Sequence, residues 1–348
     1  MVPFRPSGPI KNLERILMRL RFLMCLCAAI TAAQPAHKKE ANHAPATPSA
    51  GIKTPGVQIP FASLKPEAEF AAAAEWLAFT DAPLVGDRKS LYRVDAKKNE
   101  LGAAVAGLNN PCGGMVNAFS SLWIPTCGDQ TVSRIDPKTW KVTATVSSGT
   151  GTAKPAVAAT ADSVWLLSDN KTTLSRIDPE QNGVVAELRL DAGCNTITFG
   201  EAALWVTCPG ENRVVRVDPE KNLVDKRIEV SGQPQSLAIG ETSVWVYCKK
   251  EGKIDRIDPK TNKVTKSIEL GVAGVDGAIA VGQGSVWASL AGFPLVRIDP
   301  TTEKVVQQFW GPGGGAIYFG QNSLWLTNLT EGKLWRVDPK RVTATLAE

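Results

Sequence analysis

Apolar and polar positions alternate along this chain in short runs that restart about every 40 residues. Gln235–Leu270 shows the unit. SLAIG (236–240) alternates and ends at a Gly240-Glu241 turn, and SVWVYC (243–248) follows before the polar Lys249–Gly252. KIDRID (253–258) alternates Ile254 and Arg256 against Asp255 and Ile257. A turn over Pro259–Asn262 leads into KVTKSIEL (263–270). β-Branched and aromatic runs of this length, separated by Gly, Pro, Asn and Asp, predict four short antiparallel strands, a to d. No stretch inside the unit carries a 3.6-residue period.

The unit recurs seven times. Trp stands at 76, 123, 165, 205, 245, 287 and 325, and an R-[IV]-D triplet begins at Arg93, Arg134, Arg176, Arg216, Arg256, Arg297 and Arg336. One four-stranded sheet cannot bury two faces, whereas sheets arranged radially and closed into a ring can, with most edges protected. The expected fold is therefore all-β, a seven-bladed β-propeller over residues 57–348. The repeated residues read as scaffold: Trp on strand b fills the space between blades. The triplet's Asp precedes Pro in six of seven copies and bonds turn amides; Asp95-Ala96 is the exception.

Blade 1 departs from the pattern. Seventeen residues separate Trp76 from Arg93, against 10 or 11 elsewhere, which predicts an inserted b–c loop around Thr80–Arg88. Val57–Leu64 is expected to add a strand that closes the ring onto Val342–Glu348.

Charge narrows the function. The formal net charge of +5 is concentrated in residues 1–55, which hold eight Lys/Arg and two Glu. Subtracting these from the chain's 39 basic and 34 acidic residues leaves 31 and 32. A neutral body lacks the phosphate-neutralising footprint of nucleic-acid binding, so no nucleic acid is expected. Phe22–Ala33 is an apolar run of twelve behind Arg19 and Arg21, too short to span a bilayer. With the small residues after it, the run reads as a secretory signal over 1–33, with Met18 as an alternative start. Residues 34–56, rich in Ala, Pro, Thr and Lys, read as a disordered tether. The mature chain is expected to be exported to the periplasm or beyond, monomeric, and without a transmembrane segment.

Five cysteines remain after the signal: 112, 127, 194, 208 and 248. Cys112 and Cys127 flank the a–b hairpin of blade 2, and Cys194 and Cys208 flank that of blade 4. Antiparallel pairing sets each pair opposite, within disulfide reach, and export permits the bonds. Cys248 has no cysteine across its hairpin and is expected to be a free thiol, buried as a small apolar side chain or reactive at the rim.

Anything repeated around a ring is scaffold, so ligand chemistry is sought among residues that break the repeat. On the face shared by the d–a and b–c loops these are Asn110, Asn117, Asp129, Asp169, Asn195, Gln233, Gln235, Asp276 and Asn328. Asn117, Asn195 and Asp276 form a candidate oxygen set for calcium or magnesium, although one carboxylate with two amides is a poor cage. No other cofactor is predicted. Residues 57–348 contain no histidine, the commonest general base, and no nucleophile-elbow, zincin, dinucleotide or P-loop motif. Gly311–Gly315 (GPGGG) lacks the Lys-Ser/Thr of a phosphate loop. Trp140 and Trp310 are expected to fill blade joins, with Trp335 a further extra aromatic.

SVWVYCKKEGKIDRIDPKTNKVTKSIEL and ALWVTCPGENRVVRVDPEKNLVDKRIEV resemble the repeats of YVTN-type propellers, a neighbourhood that includes exported YncE-like proteins and the streptogramin (virginiamycin B) lyases. The resemblance covers about residues 60–348 and rests on blade scaffold. It implies either a non-catalytic exported propeller binding a small molecule, glycan or envelope protein, or a metal-dependent lyase or lactonase. The lyases use a channel histidine and glutamates beside magnesium. This chain's histidines, His37 and His43, lie in the tether, so none can take that role. The related lactonases hold calcium with a Glu/Asn/Asn/Asp set, which Asn117, Asn195 and Asp276 match in residue type alone. The non-catalytic binder is the first expectation and the lyase or lactonase the alternative.

Overall fold

A computed structural model describes residues 49–345 except 73, 81, 88, 150–154 and 169–171. The signal segment and most of the expected tether lie outside the described residues. Seven antiparallel four-stranded sheets stand around a ring, and every innermost strand contacts the innermost strands of both neighbouring blades. Those strands a are Trp76–Phe79, Val116–Ala118, Ala156–Ala159, Thr196–Gly200, Pro234–Gly240, Gly277–Gly282 and Ile317–Gly320.

Two N-terminal strands finish the ring. Strand β1 (Gln58–Pro60) adds a parallel fifth strand to Lys304–Trp310 at the rim of blade 6. Strand β2 (Ala68–Ala71) pairs antiparallel with Lys333–Val337 and supplies strand d of blade 7. The closing strand is thus β2, not Val57–Leu64. Because β2 occupies that edge, the chain after Val337 turns into a short helix, α1 (Pro339–Ala344), capped by Asp338. Val342 of α1 is buried in one cluster with Phe61, Leu64 and Trp335. Residues 49–56, expected in the tether, lie along blades 5 and 6: Gly51 N–H donates to Gly271 O at 2.8 Å and Ile52 N–H to Gln308 Oε1 at 2.7 Å.

This closure corrects the reading of blade 1. Trp76 sits on strand a, and strand b is Pro83–Gly86, within the supposed insertion. Leu84 faces Arg93 where the other blades place Trp. The Ala-rich run before Trp76 imitates a strand a, but it belongs to blade 7. On the inner side the seam is sealed by Phe79 stacked on Tyr318, centroids 4.3 Å apart. Gly320 is required there, since a Cβ would stand 2.7 Å from the Phe79 ring.

The other six Trp side chains are fully buried. In each of those blades the triplet Arg lies over its own Trp, 4.9–6.0 Å from the ring centroid. Arg93, lacking that ring, lies over Trp140 of blade 2 at 5.7 Å. The Arg Nε typically donates to the Ser two positions before the Trp, as Arg134 does to Ser121 at 2.8 Å and Arg256 to Ser243 at 2.9 Å. Its terminal nitrogens then reach the next blade's c–d turn. Arg134 donates to Pro179 O at 2.6 Å, Arg176 to Asn222 Oδ1 at 2.9 Å and Arg336 to Ala96 O at 2.7 Å. The bond needs a carbonyl, not the proline, so Asp95-Ala96 serves as well as Asp-Pro. Arg297 works through Gln307, which donates to Val342 O and to Thr345 Oγ1. Each triplet Asp accepts turn amides, for example Asp178 from Glu180 at 2.7 Å and Asp258 from Lys260 at 2.8 Å. In these two cases the turn amides hold the Asp178 and Asp258 carboxyls below the usual carboxylate range.

Both expected disulfides form: Cys112–Cys127 with Cα atoms 5.8 Å apart and Cys194–Cys208 at 3.8 Å. The first pair is not strictly opposite. Cys112 N–H donates to Pro125 O and Cys127 N–H to Asn110 O, so the bond crosses the hairpin diagonally. Two disulfides are compatible with an exported protein, and no helix among the described residues is long and apolar enough to cross a membrane.

Candidate functional site

On the face of the d–a and b–c loops, blades 4 and 5 form an open cleft of about 400 Å³ lined by Asn195, Pro209, Gly210, Gln233, Gln235 and Lys249. The scaffold places each of these. Asn195 and Pro209 directly follow Cys194 and Cys208, so the disulfide ties the two blade 4 walls together. Asn195 N–H donates to Thr207 O at 2.9 Å, and its Oδ1 accepts from Thr207 Oγ1 at 2.5 Å. Across the cleft, Gln233 N–H donates to Asn212 Oδ1 at 2.9 Å and its carbonyl accepts from Lys249 N–H at 3.0 Å. The Gln235 carbonyl accepts from Thr196 Oγ1 at 3.0 Å, joining blade 5 to blade 4.

Asp276, at the entry to blade 6, bonds to this wall. Its Oδ1 accepts from Lys249 Nζ at 2.6 Å and from Gln235 Nε2 at 2.9 Å. Lys249 first, then Gln235, holds the Asp276 carboxyl below the usual carboxylate range. Below the cleft, Asp255 is 1% exposed and accepts from Ser231 N–H at 2.6 Å and Ser231 Oγ at 3.1 Å. Glu251 Oε2 accepts from Gly232 N–H at 2.6 Å. Two carboxylates therefore fix the loop that carries Gln233 and Gln235. Cys248 is free and fully buried, its thiol pushed up by burial first and by Asp255 second. Its surroundings suit a protonated, unreactive thiol. The Tyr247 hydroxyl, also pushed up by burial, donates to Val275 O at 2.8 Å.

Of the residues singled out from sequence, Asn195, Gln233 and Gln235 line the cleft and Asp276 bonds to its wall. Asn117 is exposed on strand a of blade 2. Asp129 accepts from Asn109 Nδ2 at 2.7 Å on the b–c turn of the same blade. Asn328 is fully buried on blade 7, where its Oδ1 accepts the amides of Thr330 and Glu331. Asp169 lies outside the described residues. Pro209, Gly210 and Lys249 escaped the sequence reading because they sit in polar spacers; Lys249 heads a b–c loop that reads as a simple turn.

Of the candidate oxygen set, Asn117, Asn195 and Asp276 stand on blades 2, 4 and 6; Asn195 Oδ1 accepts from the Thr207 hydroxyl and the Asp276 carboxylate pairs with the Lys249 ammonium. Among the described residues, no group of three or more His, Cys, Asp or Glu is placed to hold a metal ion.

No protein-family model matches the chain, and no curated protein matches it. Solved structures do. The virginiamycin B lyase from Staphylococcus aureus superposes with a TM-score of 0.65 at 15% identity, covering 78% of this chain and 98% of that one. A catalytically inactive variant of that lyase with quinupristin gives 0.65 at 14% identity, covering 75% and 93%. The Kuenenia stuttgartiensis hydrazine synthase gives 0.57 at 14% identity, covering 70% and 82%. At these identities the likeness is one of architecture, and this chain shares the propeller fold of the streptogramin lyases.

Proposed function

We propose that this chain is an exported β-propeller that binds a small molecule, a glycan or an envelope partner in the cleft between blades 4 and 5, without transforming it. The observation that carries this reading is the lining. Three side-chain amides and one ammonium line a concave site whose walls are fixed by a disulfide, the carboxylate caps of buried Asp255 and half-buried Glu251, and inter-blade hydrogen bonds. Fixed polar groups around a concavity are what selective binding needs, because little ordering remains to be done on association.

The same residues are poorly suited to proton transfer. Lys249 is ion-paired, the Cys248 thiol is buried and pushed up by that burial, and residues 57–348 contain no histidine. The test is to display the mature protein to a glycan array and a peptide library beside the double variant Gln235→Ala/Lys249→Ala. Retention of a defined ligand class by the wild type and its loss in the variant is expected. Equal retention by both proteins would place binding elsewhere.

A further inference from the structure

We propose that Lys249 and Gln235 form a recognition point for a carboxylate group on the ligand, and that Asp276 holds this point when no ligand is present. The inference rests on the cleft being the binding site, as proposed above. Gln235 cannot present its amide either way round. Its Oε1 accepts from Gly277 N–H at 3.2 Å, which turns Nε2 toward Asp276 Oδ1 at 2.9 Å. Lys249 Nζ reaches the same oxygen at 2.6 Å. Two donors, one of them charged, thus converge on one carboxylate oxygen at the wall of the cleft.

The partners are held very differently. The Lys249 side chain is 30% exposed, and its backbone is fixed on both sides, its N–H to Gln233 O at 3.0 Å and its carbonyl by Gly274 N–H at 2.8 Å. The Asp276 side chain is 74% exposed. An ion pair so open to water contributes little, because screening and side-chain entropy offset the attraction. Turning Asp276 aside therefore costs little. A ligand carboxylate in its place keeps both charge-assisted bonds and brings the rest of the ligand against Asn195 and Gln233. The neighbouring Glu251 does not compete for Lys249, since its carboxylate is turned to Gly232 N–H. The carboxylate can belong to a peptide C-terminus or to a uronic acid; the recognised chemistry is the same.

Calorimetric titration of the mature protein distinguishes the sources and tests the inference. The probes are N-acetyl-trialanine and its C-terminal amide, and trigalacturonate and its methyl ester. At least one free acid should bind about tenfold more tightly than its neutral counterpart, the effect of a charge-assisted pair. Asp276→Asn should tighten that acid roughly threefold, since it removes a weak internal competitor. Lys249→Gln should weaken it about tenfold, with Lys249→Arg retaining most of the affinity. Which acid binds identifies the source. Equal binding of acid and neutral forms, or a loss of affinity in Asp276→Asn matching that in Lys249→Gln, overturns the inference. So does a neutral or cationic array ligand that depends on Gln235 while neither acid binds, an outcome that leaves the cleft reading standing. If no ligand of any class depends on the cleft, both readings fall.

Discussion

Arg216 stands apart from the other triplet arginines. Blade 4 has Ala203 where the neighbouring blades have Ser, and Arg216 Nε is buried without a hydrogen-bond partner. Its guanidinium turns to Asp225 on its own blade, and Asn262 Oδ1 on the next blade is likewise left unpaired. Ala203→Ser should supply the missing hydroxyl and raise stability by about 1–2 kcal/mol, the net worth of one hydrogen bond to a partly exposed charged donor after desolvation. Urea midpoints of the two proteins check this. Cys248 gives a second prediction. A fold that keeps the thiol protonated while the unfolded chain releases it loses stability as pH rises past about 8.5. The wild type should therefore lose melting temperature between pH 8 and 10 faster than Cys248→Ala, even though the variant starts lower. Parallel slopes would remove Cys248 as the cause.

At the scale of elements, the N-terminal strands and the disulfides make separate contributions. β2 carries the buried Phe70 and closes blade 7, and Glu69 accepts from Trp335 Nε1 at 2.9 Å and pairs with Lys333 at 3.0 Å. Deleting residues through Ala72 should abolish the cooperative thermal transition, whereas deletion through Gly56 should only lower its midpoint. Replacing Cys194 and Cys208 by Ser should cost about 3 kcal/mol for a loop of this length on the chain-entropy model. It should also weaken cleft binding more than the same change at Cys112 and Cys127, which lie in blade 2.

These elements also show how much of the fold was legible in sequence. Hairpin-local features were readable, because a disulfide across a turn depends on short spacing. Trp76 misled because it kept the Trp period while standing on a different strand. Only the pairing of β2 with a strand more than 260 residues away reveals the shift. The cleft was half legible. Asn195, Gln235 and Asp276 follow one another at 40 and 41 residues, so polar groups at one repeat position on successive blades were a usable signal. Lys249, which meets Asp276 across a blade join, left no such periodic mark.

At the scale of the molecule, the ring is closed by joints that differ in chemistry. The blade 4–5 joint lacks the arginine bond between blades on one face and carries the cleft on the other. The proposed binding site thus lies where the repeat is broken, while the repeated residues hold the ring. The most direct test is equilibrium binding of the best array ligand to the wild type and to Gln235→Ala/Lys249→Ala, with the ligand recovered and weighed by mass spectrometry. Binding lost in the double variant, with the ligand returned chemically unchanged by the wild type, is the predicted result. Equal affinity for both proteins, or a ligand returned with a bond cleaved, would contradict it.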